Sequence, residues 1–229
     1  MNYKIRDKES SYRYERKFLI NDLTVDEITS LVNINSSMFN FSFNKRIINN
    51  IYFDNFNFNN YHENVEGSTD RIKIRIRWYG DLFSHIKKPK LEIKIKKGFL
   101  GTKKTTKLKS FNLNGDLSNI FKPLKDNFIY SRYNLNTVSP VLLNSYTRCY
   151  YISNNKSYRI TIDNKQSYYK IFKNNNSFLH KVYDDNSTIL EIKYNDLYDD
   201  NVNAITNSFP FRMTKNSKYV NGIEAIYSL

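Results

Sequence analysis

Residues 71–78 alternate strictly between cationic and apolar side chains. Side chains in a strand point alternately to opposite faces, so this segment predicts a strand with one basic face and one apolar face. Neighbouring like charges repel one another, and solubility alone would not require an unmixed cationic face. The pattern therefore indicates a binding surface for a polyanion. The basic positions are Arg71, Lys73, Arg75 and Arg77.

The same alternation recurs in four other segments, each with one apolar face and one charged face. Three of them carry the motif Glu-x-Lys, in which an acid and a base share a face. The fourth, residues 157–163, places Arg159 and Asp163 on one face. Each segment predicts a strand, and bases outnumber acids on the charged faces. The Glu-x-Lys pairs are Glu15 and Lys17 in 12–20, Glu92 and Lys94 in 90–97, and Glu191 and Lys193 in 188–194.

Two architectures fit this pattern. An antiparallel sandwich would bury the apolar faces and leave the charged faces in water. A closed antiparallel barrel would instead turn the charged faces inward around a wet tunnel, with flanking helices over the apolar faces outside. A tunnel lined by cations is costly to desolvate unless phosphates or carboxylates compensate it. The cationic excess favours the barrel, and with it a mainly β fold of the α+β class.

Length and composition limit the organisation of the chain. It has 229 residues, a formal net charge of +14 and 16% aromatic residues, which suits a single domain over residues 1–229. The one cysteine, Cys149, excludes an internal disulfide and fits a reducing compartment. No apolar run approaches the roughly 20 residues that cross a bilayer, and no signal-peptide core is present. We therefore expect a cytoplasmic protein without a transmembrane segment, while a membrane-associated partner stays open.

Local signals predict a few helices and further strands. Thr24 followed by Glu27 forms a capping-box pattern, so a short helix is expected after the first strand. A hairpin is expected over residues 96–104, KKGFLGTKK, whose two glycines do not form a P-loop. Three scattered histidines and one cysteine give no zinc motif. The remaining predictions are strands at 46–54 and 141–152, helices at 115–131 and 196–208, a hairpin of 165–172 with 178–183, and a partly helical segment at 215–228.

Seven sequence blocks resemble those of a known family, in the same order along the chain. They are RYERKFLI, RIKIRIRWYG, LEIKIKKG, PVLLNSYTRCYY, YRITIDN, LEIKYND and FRMTKNSKYVNG. Together they cover residues 12–228 and resemble the VTC domain, the catalytic domain of the vacuolar transporter chaperone polyphosphate polymerase. That domain belongs to the triphosphate tunnel metalloenzyme (CYTH-like) superfamily. The resemblance implies an antiparallel barrel of about eight strands enclosing a tunnel.

The resemblance also implies roles for individual residues. Catalytic roles fall to Arg75, Arg77, Lys94, Arg148, Arg159 and Lys218. The phosphate-binding set contains these six together with Lys17, Lys96, Tyr146 and Lys215. Lys193 joins this set by its position beside Glu191, although it could instead only neutralise that carboxylate. Glu191 matches the family's metal ligand, with Glu15 as a helper, and one or two carboxylates suit Mg²⁺ or Mn²⁺.

The expected activity is the metal-dependent transfer of the γ-phosphate of ATP, or of another triphosphate, onto inorganic polyphosphate. Arginine forks and mobile lysine charges suit such a flexible chain. The ExExK strand of the superfamily's hydrolases is absent, since the first strand reads YRYERK. Two alternatives stay open: a tunnel triphosphatase acting on tripolyphosphate or nucleoside triphosphate, and a non-enzymatic polyphosphate-binding module. Nucleic acid is the least favoured partner because no RNA-binding motif is present.

Some of the charged residues have simpler structural interpretations. Glu15 and Glu92 could serve as internal counter-ions that hold neighbouring bases in place. Asp163 is expected to be a turn residue at the end of a strand. Lys103 belongs to a basic run that we expect to be solvated or to contact free polyphosphate.

Overall fold

The computed structural model describes residues 13–97, 100–113, 137–172 and 176–229. They contain nine strands and four α-helices. The strands are β1 (Arg13–Ile20), β2 (Asn40–Asp54), β3 (Arg71–Tyr79), β4 (Lys90–Lys97), β5 (Leu100–Lys107), β6 (Ser139–Ile152), β7 (Tyr158–Lys170), β8 (Lys181–Asp184) and β9 (Thr188–Asn195). The helices are α1 (Val25–Asn33), α2 (Asn59–Glu66), α3 (Asp199–Thr206) and α4 (Lys218–Tyr227). Across these ranges every helix falls short of the length and hydropathy that a bilayer span would require.

Hydrogen bonds arrange eight strands in the order β1-β9-β7-β6-β2-β3-β4-β5, with β8 paired to β7. The registered pairs β1–β9, β2–β3, β3–β4, β4–β5 and β7–β8 are all antiparallel. Over the described residues no hydrogen bonds join β5 to β1 and close the sheet. The predicted mainly β fold, antiparallel with a few helices, is therefore confirmed. Its closure into a barrel stays a prediction.

Local signals predicted some elements well and missed others. The capping box is present, because Thr24 N donates to Glu27 Oε2 at 2.8 Å and Glu27 N donates to Thr24 Oγ1 at 3.3 Å. Helix α1 accordingly begins at Val25. The two segments predicted on either side of residue 164 form one continuous strand, β7. The helix predicted at 115–131 lies outside the described residues.

The chain divides into two compact units. Unit 1 takes its described residues from 1–44, 149–162 and 188–215, and unit 2 takes its own from 45–148, 163–187 and 216–229. Strands β2, β6 and β7 each contribute residues to both units. The single domain expected from chain length stays a prediction.

The core of unit 1 lies under one face of β1 and β9. Buried apolar side chains from these strands pack with the inner faces of α1 and α3. The opposite face carries the Glu-x-Lys pairs, as the alternation predicted. The principal core residues are Phe18 and Ile20 of β1, Ile28 and Val32 of α1, Leu190 and Ile192 of β9, and Val202 and Ile205 of α3.

The main core of unit 2 lies on the apolar face of β3 and β4. Ile76, Trp78 and Ile93 are almost fully buried there, together with Ile86, which follows β3, and Leu113, which follows β5. The isoleucine face of residues 71–78 therefore packs inward, as predicted. The basic face of the same strands points the other way.

Helix α4 is fixed against β6 and β7 by close packing. A Cβ atom on Gly222 would lie 2.5 Å from Leu142 Cδ2 and 2.6 Å from Tyr168 Cδ1, so only glycine allows this approach. The Tyr219 hydroxyl donates a hydrogen bond to buried Asp54. These contacts fix the first turn of α4, which carries Lys218.

Candidate functional site

The register of β3, β4 and β5 sets the basic positions opposite one another. Residues directly opposite across antiparallel strands share a face of the sheet. One row contains an acid, because Arg75 lies opposite Glu92, which in turn lies opposite Thr105. The other rows on this face bring like charges together, which is destabilising. They are Arg71 with Lys96, Lys73 with Lys94 and Lys103, and Arg77 with Lys90 and Lys107.

Glu92 neutralises part of this face. Its Oε2 accepts a hydrogen bond from Arg75 Nε at 2.8 Å and lies 2.6 Å from Arg75 Nη2. Its Oε1 accepts one from Lys103 Nζ at 2.5 Å, and Arg77 Nε lies 3.9 Å from Oε2. Burial raises the pKa of Glu92, but the charges of Arg75 and Arg77 and the hydrogen bonds outweigh it and lower the pKa to about 2. The counter-ion interpretation of Glu92 is confirmed, and Lys103, which is 49% exposed and so solvated as expected, also forms an ion pair with it.

Tyr146 connects Arg77 to a second ion pair. Arg77 donates from Nε to Asn50 Oδ1 at 2.8 Å and from Nη2 to the Tyr146 hydroxyl at 3.3 Å. Two cations lie over the Tyr146 ring, with Arg148 Cζ 5.4 Å and Lys218 Nζ 4.6 Å from its centroid. Burial raises the pKa of Tyr146, but the charges of Arg77, Arg148 and Lys218 outweigh it and lower the pKa. The phenol therefore lies in a strongly cationic environment.

Asp163 is the second carboxylate on this face and is fully buried. Arg148 binds it through two atoms, from Nε to Oδ1 at 2.5 Å and from Nη2 to Oδ2 at 2.6 Å. Lys218 Nζ donates to Oδ2 at 2.6 Å. Burial raises the pKa of Asp163, but Lys218 and Arg148 lower it on balance, so the carboxylate stays ionised. The expectation that Asp163 is a turn residue is wrong, because β7 continues through it to Lys170.

The start of α4 lies beside the same group. Ser217 is its N-cap, and Ser217 Oγ accepts hydrogen bonds from Lys73 Nζ at 3.1 Å and from Val220 N at 3.5 Å. The first turn of a helix carries a partial positive charge. Helix α4 thus adds a positive end, and the side chain of Lys218, to an already basic face.

We call the eight residues joined by these contacts the basic cluster: Arg75, Arg77, Glu92, Lys103, Tyr146, Arg148, Asp163 and Lys218. Five cations meet two carboxylates, which leaves an excess of three positive charges. The side chains of Arg77, Arg148 and Lys218 are only 11%, 11% and 12% exposed. A sandwich with solvated charged faces does not describe this face. These three mostly buried cations meet two buried carboxylates, and Arg75 and Lys103 add two more positive charges that are partly open to solvent. An excess of cations of this kind favours an anionic ligand.

Unit 1 carries a separate charged group on β1 and β9. Lys17 lies directly opposite Glu191, and Glu15 lies opposite Lys193. The Glu191 carboxylate is 3.9 Å from Lys17 Nζ through Oε1 and 3.2 Å from Lys193 Nζ through Oε2. Two acids therefore face two bases, and the charges of this group balance.

The metal predicted at Glu191 and Glu15 can be tested against this donor set. Both carboxylates lie on one face of the β1–β9 pair, and hard oxygen donors are what Mg²⁺ and Mn²⁺ take. The residues therefore fit such an ion chemically, provided that a ligand's oxygens complete its coordination. Among the described residues no group of three or more His, Cys, Asp or Glu side chains forms a complete protein site.

Four further predicted site residues are not members of the basic cluster. Lys94 and Lys96 are on the basic face of β4, the former exposed and the latter half-buried. Arg159 and Lys215 belong to unit 1, and both are exposed. Lys215 follows a segment attached to the edge of β1, where Thr214 N donates to Lys17 O at 2.8 Å. The functional roles of these four residues stay predictions.

The sequence pattern indicated the counter-ion role of Glu92, but it did not indicate that Asp163 is a second centre of the site. Asp163 shares a face with Arg159 in the predicted strand, and that spacing was the available signal. Its partner Lys218 is 55 positions away, so no local pattern joins the two. Asn50, which holds Arg77, carried no distinctive signal at all.

The fold is a mainly antiparallel β-sheet that carries a basic cluster suited to a phosphate ligand, and comparison with known proteins identifies the family. The family model of the VTC domain matches residues 12–227, so the chain belongs to the VTC domain family. No curated protein matches the chain.

Two solved structures share the fold. A candidate adenylate cyclase from Vibrio parahaemolyticus has a TM-score of 0.52 at 10% identity, covering 91% of this chain and 96% of its own. The PH1819 protein of Pyrococcus horikoshii has a TM-score of 0.50 at 15% identity, covering 94% of this chain and 98% of its own. At these identities the likeness concerns the fold alone.

Proposed function

We propose that this protein is a polyphosphate polymerase-like phosphotransferase, which moves the γ-phosphate of ATP onto inorganic polyphosphate. The observation that carries the proposal is the excess of cations over carboxylates in the basic cluster, three of whose cations are mostly buried. Phosphoryl transfer depends mainly on positioning and on neutralising the charge of the phosphate oxygens. Membership of the VTC domain family supports the same activity.

The chemistry of the cluster suits a phosphate chain. Arg77 and Arg148 present planar forks that can take two oxygens of one phosphate, whereas Lys218 supplies a point charge. These three side chains would bind and orient the transferred group, together with Lys94 and Arg159 in their predicted catalytic roles. Because none of them reads a base, the proposal leaves the nucleotide preference open between ATP and other triphosphates.

The tunnel predicted from the sequence is part of this proposal. Its support within unit 2 is that the apolar core covers one face of β3 and β4, while Arg77, Arg148 and Lys218 are mostly buried in ion pairs and hydrogen bonds of the basic cluster. Buried charged side chains of this kind are expected on the inner wall of a tunnel and not on a solvated outer face. The cytoplasmic setting is also proposed, on the basis of the single cysteine.

The proposal includes a divalent ion, Mg²⁺ or Mn²⁺, held by Glu191 with Glu15 as a helper. When bound, such an ion neutralises charge on the phosphate oxygens of a triphosphate. The residues of this chain have separate tasks: Glu191 provides oxygen donors, and Lys17 and Lys193 hold its carboxylate in place. Both lysines also remain in the predicted phosphate-binding set.

The test incubates the purified protein with ATP and Mn²⁺ or Mg²⁺ and separates long phosphate chains from orthophosphate. Long chains would support the polymerase, whereas orthophosphate alone would favour the tunnel triphosphatase. Neither product, with polyphosphate binding retained, would leave a binding module. RNA as a competitor of equal charge tests the nucleic-acid alternative, and we expect it to compete poorly.

Glu191→Gln separates binding from chemistry in the same assay. It removes the charge that would hold the ion and conserves the shape of the side chain, so turnover should collapse. Polyphosphate binding should persist because every cation of unit 2 remains. Undiminished turnover would return Glu191 to the role of a structural counter-ion of Lys17 and Lys193.

A further inference from the structure

Glu92 and Asp163, the two carboxylates of the basic cluster, are held in very different ways. Asp163 is fully buried, and its partners Arg148 and Lys218 are 11% and 12% exposed. The partners of Glu92 are more open, since Arg75 is 26% exposed and Lys103 is 49% exposed. One carboxylate is thus enclosed, and the other lies where solvent reaches its partners.

Glu92 occupies the part of Arg75 that would otherwise bind phosphate. Both Nε and Nη2 of Arg75 approach the same oxygen, Oε2, so this edge of the guanidinium fork is taken. Forks of this kind bind carboxylate and phosphate oxygens alike. The other oxygen of Glu92 holds Lys103. A phosphate that approaches Arg75 therefore meets a carboxylate already bound there.

We propose that Glu92 determines specificity by competing with phosphate for Arg75 and Lys103, so that the site accepts long polyanions and rejects short anions. The inference rests on the proposed phosphate site of unit 2 and adds its selectivity. A single phosphate gains few contacts in this site. These contacts must offset either the displacement of Glu92 or the repulsion from its carboxylate. A long chain also reaches the neighbouring cations of β3 and β4, and these additional contacts outweigh the repulsion.

The position of Glu92 in the charge pattern supports this role. Among the rows that β3, β4 and β5 form on this face, the rows on either side of Glu92 are cationic. One is Lys73 with Lys94 and Lys103, and the other is Arg77 with Lys90 and Lys107. A polyanion that spans three rows passes over one carboxylate and several cations. An orthophosphate confined to the middle row meets Glu92 while that carboxylate is already bound by Arg75 and Lys103, and it gains few further cations.

The test measures dissociation constants of orthophosphate, tripolyphosphate and long-chain polyphosphate for the wild type and for Glu92→Gln, at one ionic strength and pH 7. Glutamine conserves the shape and removes the charge. Affinity for the two short anions should rise about tenfold, and affinity for the long chain less than about threefold. The ratio between the affinities for long and for short ligands therefore becomes smaller. Glu66→Gln, which removes an exposed carboxylate of α2 in the same unit, controls for net charge and should leave the ratio unchanged.

A second variant keeps the inference falsifiable if Glu92→Gln does not fold. Thr105 lies directly opposite Glu92 on β5 and is exposed, so Thr105→Glu adds a carboxylate beside the same cations. In the wild-type background Thr105→Glu should weaken the binding of short anions more than that of long chains. Combined with Glu92→Gln, it should restore the discrimination between long and short ligands. Equal shifts at every chain length would overturn the role of Glu92 while leaving the phosphate site intact. Absence of binding by the wild type at every length would overturn the proposed function and this inference together.

Discussion

The charged faces of the two units differ in how their cations are compensated. In unit 1 the register of β1 and β9 places Lys17 opposite Glu191 and Lys193 opposite Glu15. Both of these lysines have an acid across the strand pair, and opposite charges in such positions stabilise a sheet. These four charges compensate one another without a ligand.

The corresponding face of unit 2 does not. Lys73 lies opposite Lys94 and Arg71 lies opposite Lys96, which destabilises the pairing of β3 with β4. The same alternation of charged and apolar residues thus gives two kinds of surface, according to the register that pairs the strands. The alternation of side chains along a strand therefore predicts which face is charged. The register between strands determines whether those charges compensate one another or favour a bound ligand.

The largest expected effect comes from removing the enclosed carboxylate of unit 2. Asp163→Asn leaves Arg148 and Lys218 buried without a counter-charge, so the free energy of unfolding should fall by about 3 kcal/mol. In unit 1, Glu191→Gln should cost about 1 kcal/mol or less, because Lys17 and Lys193 are about one-third exposed and solvent screens them. Urea unfolding of both variants measures the difference. Equal losses would show that the two faces are compensated alike.

A smaller effect is expected on ligand binding. Arg77→Ala removes a guanidinium group from the basic cluster. It should weaken the binding of long-chain polyphosphate by roughly 30-fold, or about 2 kcal/mol. Lys193→Ala, in the balanced group of unit 1, should weaken it several-fold less. Titrations over a range of salt concentrations should also give a shallower salt dependence for Arg77→Ala, because fewer counter-ions are exchanged. A binding affinity that changes neither with salt concentration nor with Arg77→Ala would contradict a polyanion site in unit 2.

Acidification should act on unit 2 through Glu92. Its pKa is lowered from 4.5 to about 2, so its stabilisation is complete above pH 4.5 and is lost as the pH falls toward 2. After a discount for the solvent-exposed Lys103 and Arg75, that stabilisation is about 1–2 kcal/mol. The stability difference between wild type and Glu92→Gln should therefore shrink between pH 4.5 and pH 2. A difference that stays constant with pH would mean that Glu92 stabilises by packing and not by charge.

The smallest effect concerns the backbone. Lys165 in unit 2 has φ +51°, and Lys156 in unit 1 has φ +62°, both in the left-handed region that glycine tolerates. Lys165→Gly and Lys156→Gly should each change the free energy of unfolding by about 0.5 kcal/mol in the stabilising direction. Thermal unfolding gives both values. A clearly larger gain at Lys165 would indicate that the charge of unit 2, in addition to the backbone, opposes a lysine there.

The sequence predicted those elements whose signals are local. Alternation predicted β3, β4 and β9, and the Thr24 capping box predicted α1. Helix α2 was missed because its start lacks a cap side chain of its own and its first residue follows Phe58 in a left-handed conformation. Asp54, at the end of β2, accepts hydrogen bonds from the backbone of Asn60 and Tyr61 instead. No standard capping pattern has that spacing.

The candidate site was predictable in its cations and not in its connections. Arginine positions on the strands indicated a basic face, and Arg75, Arg77 and Arg148 are found together in the basic cluster. The carboxylates that hold them depend on pairing between distant strands and on α4. Such contacts follow from the register and packing of the whole unit, which short sequence patterns do not specify.

The attachment of α4 has a consequence for the newly synthesised chain. Arg148 and Asp163 are made within 15 residues of each other, so their ion pair can form while later segments are still being synthesised. Lys218 follows Asp163 by 55 positions, and it reaches the carboxylate only once Gly222 has allowed α4 to settle against β6 and β7. Long-range contacts of this kind form late in folding. A nascent chain would thus complete the basic cluster only after α4 has been made and packed, and ribosome-bound chains that lack α4 would carry Asp163 without Lys218.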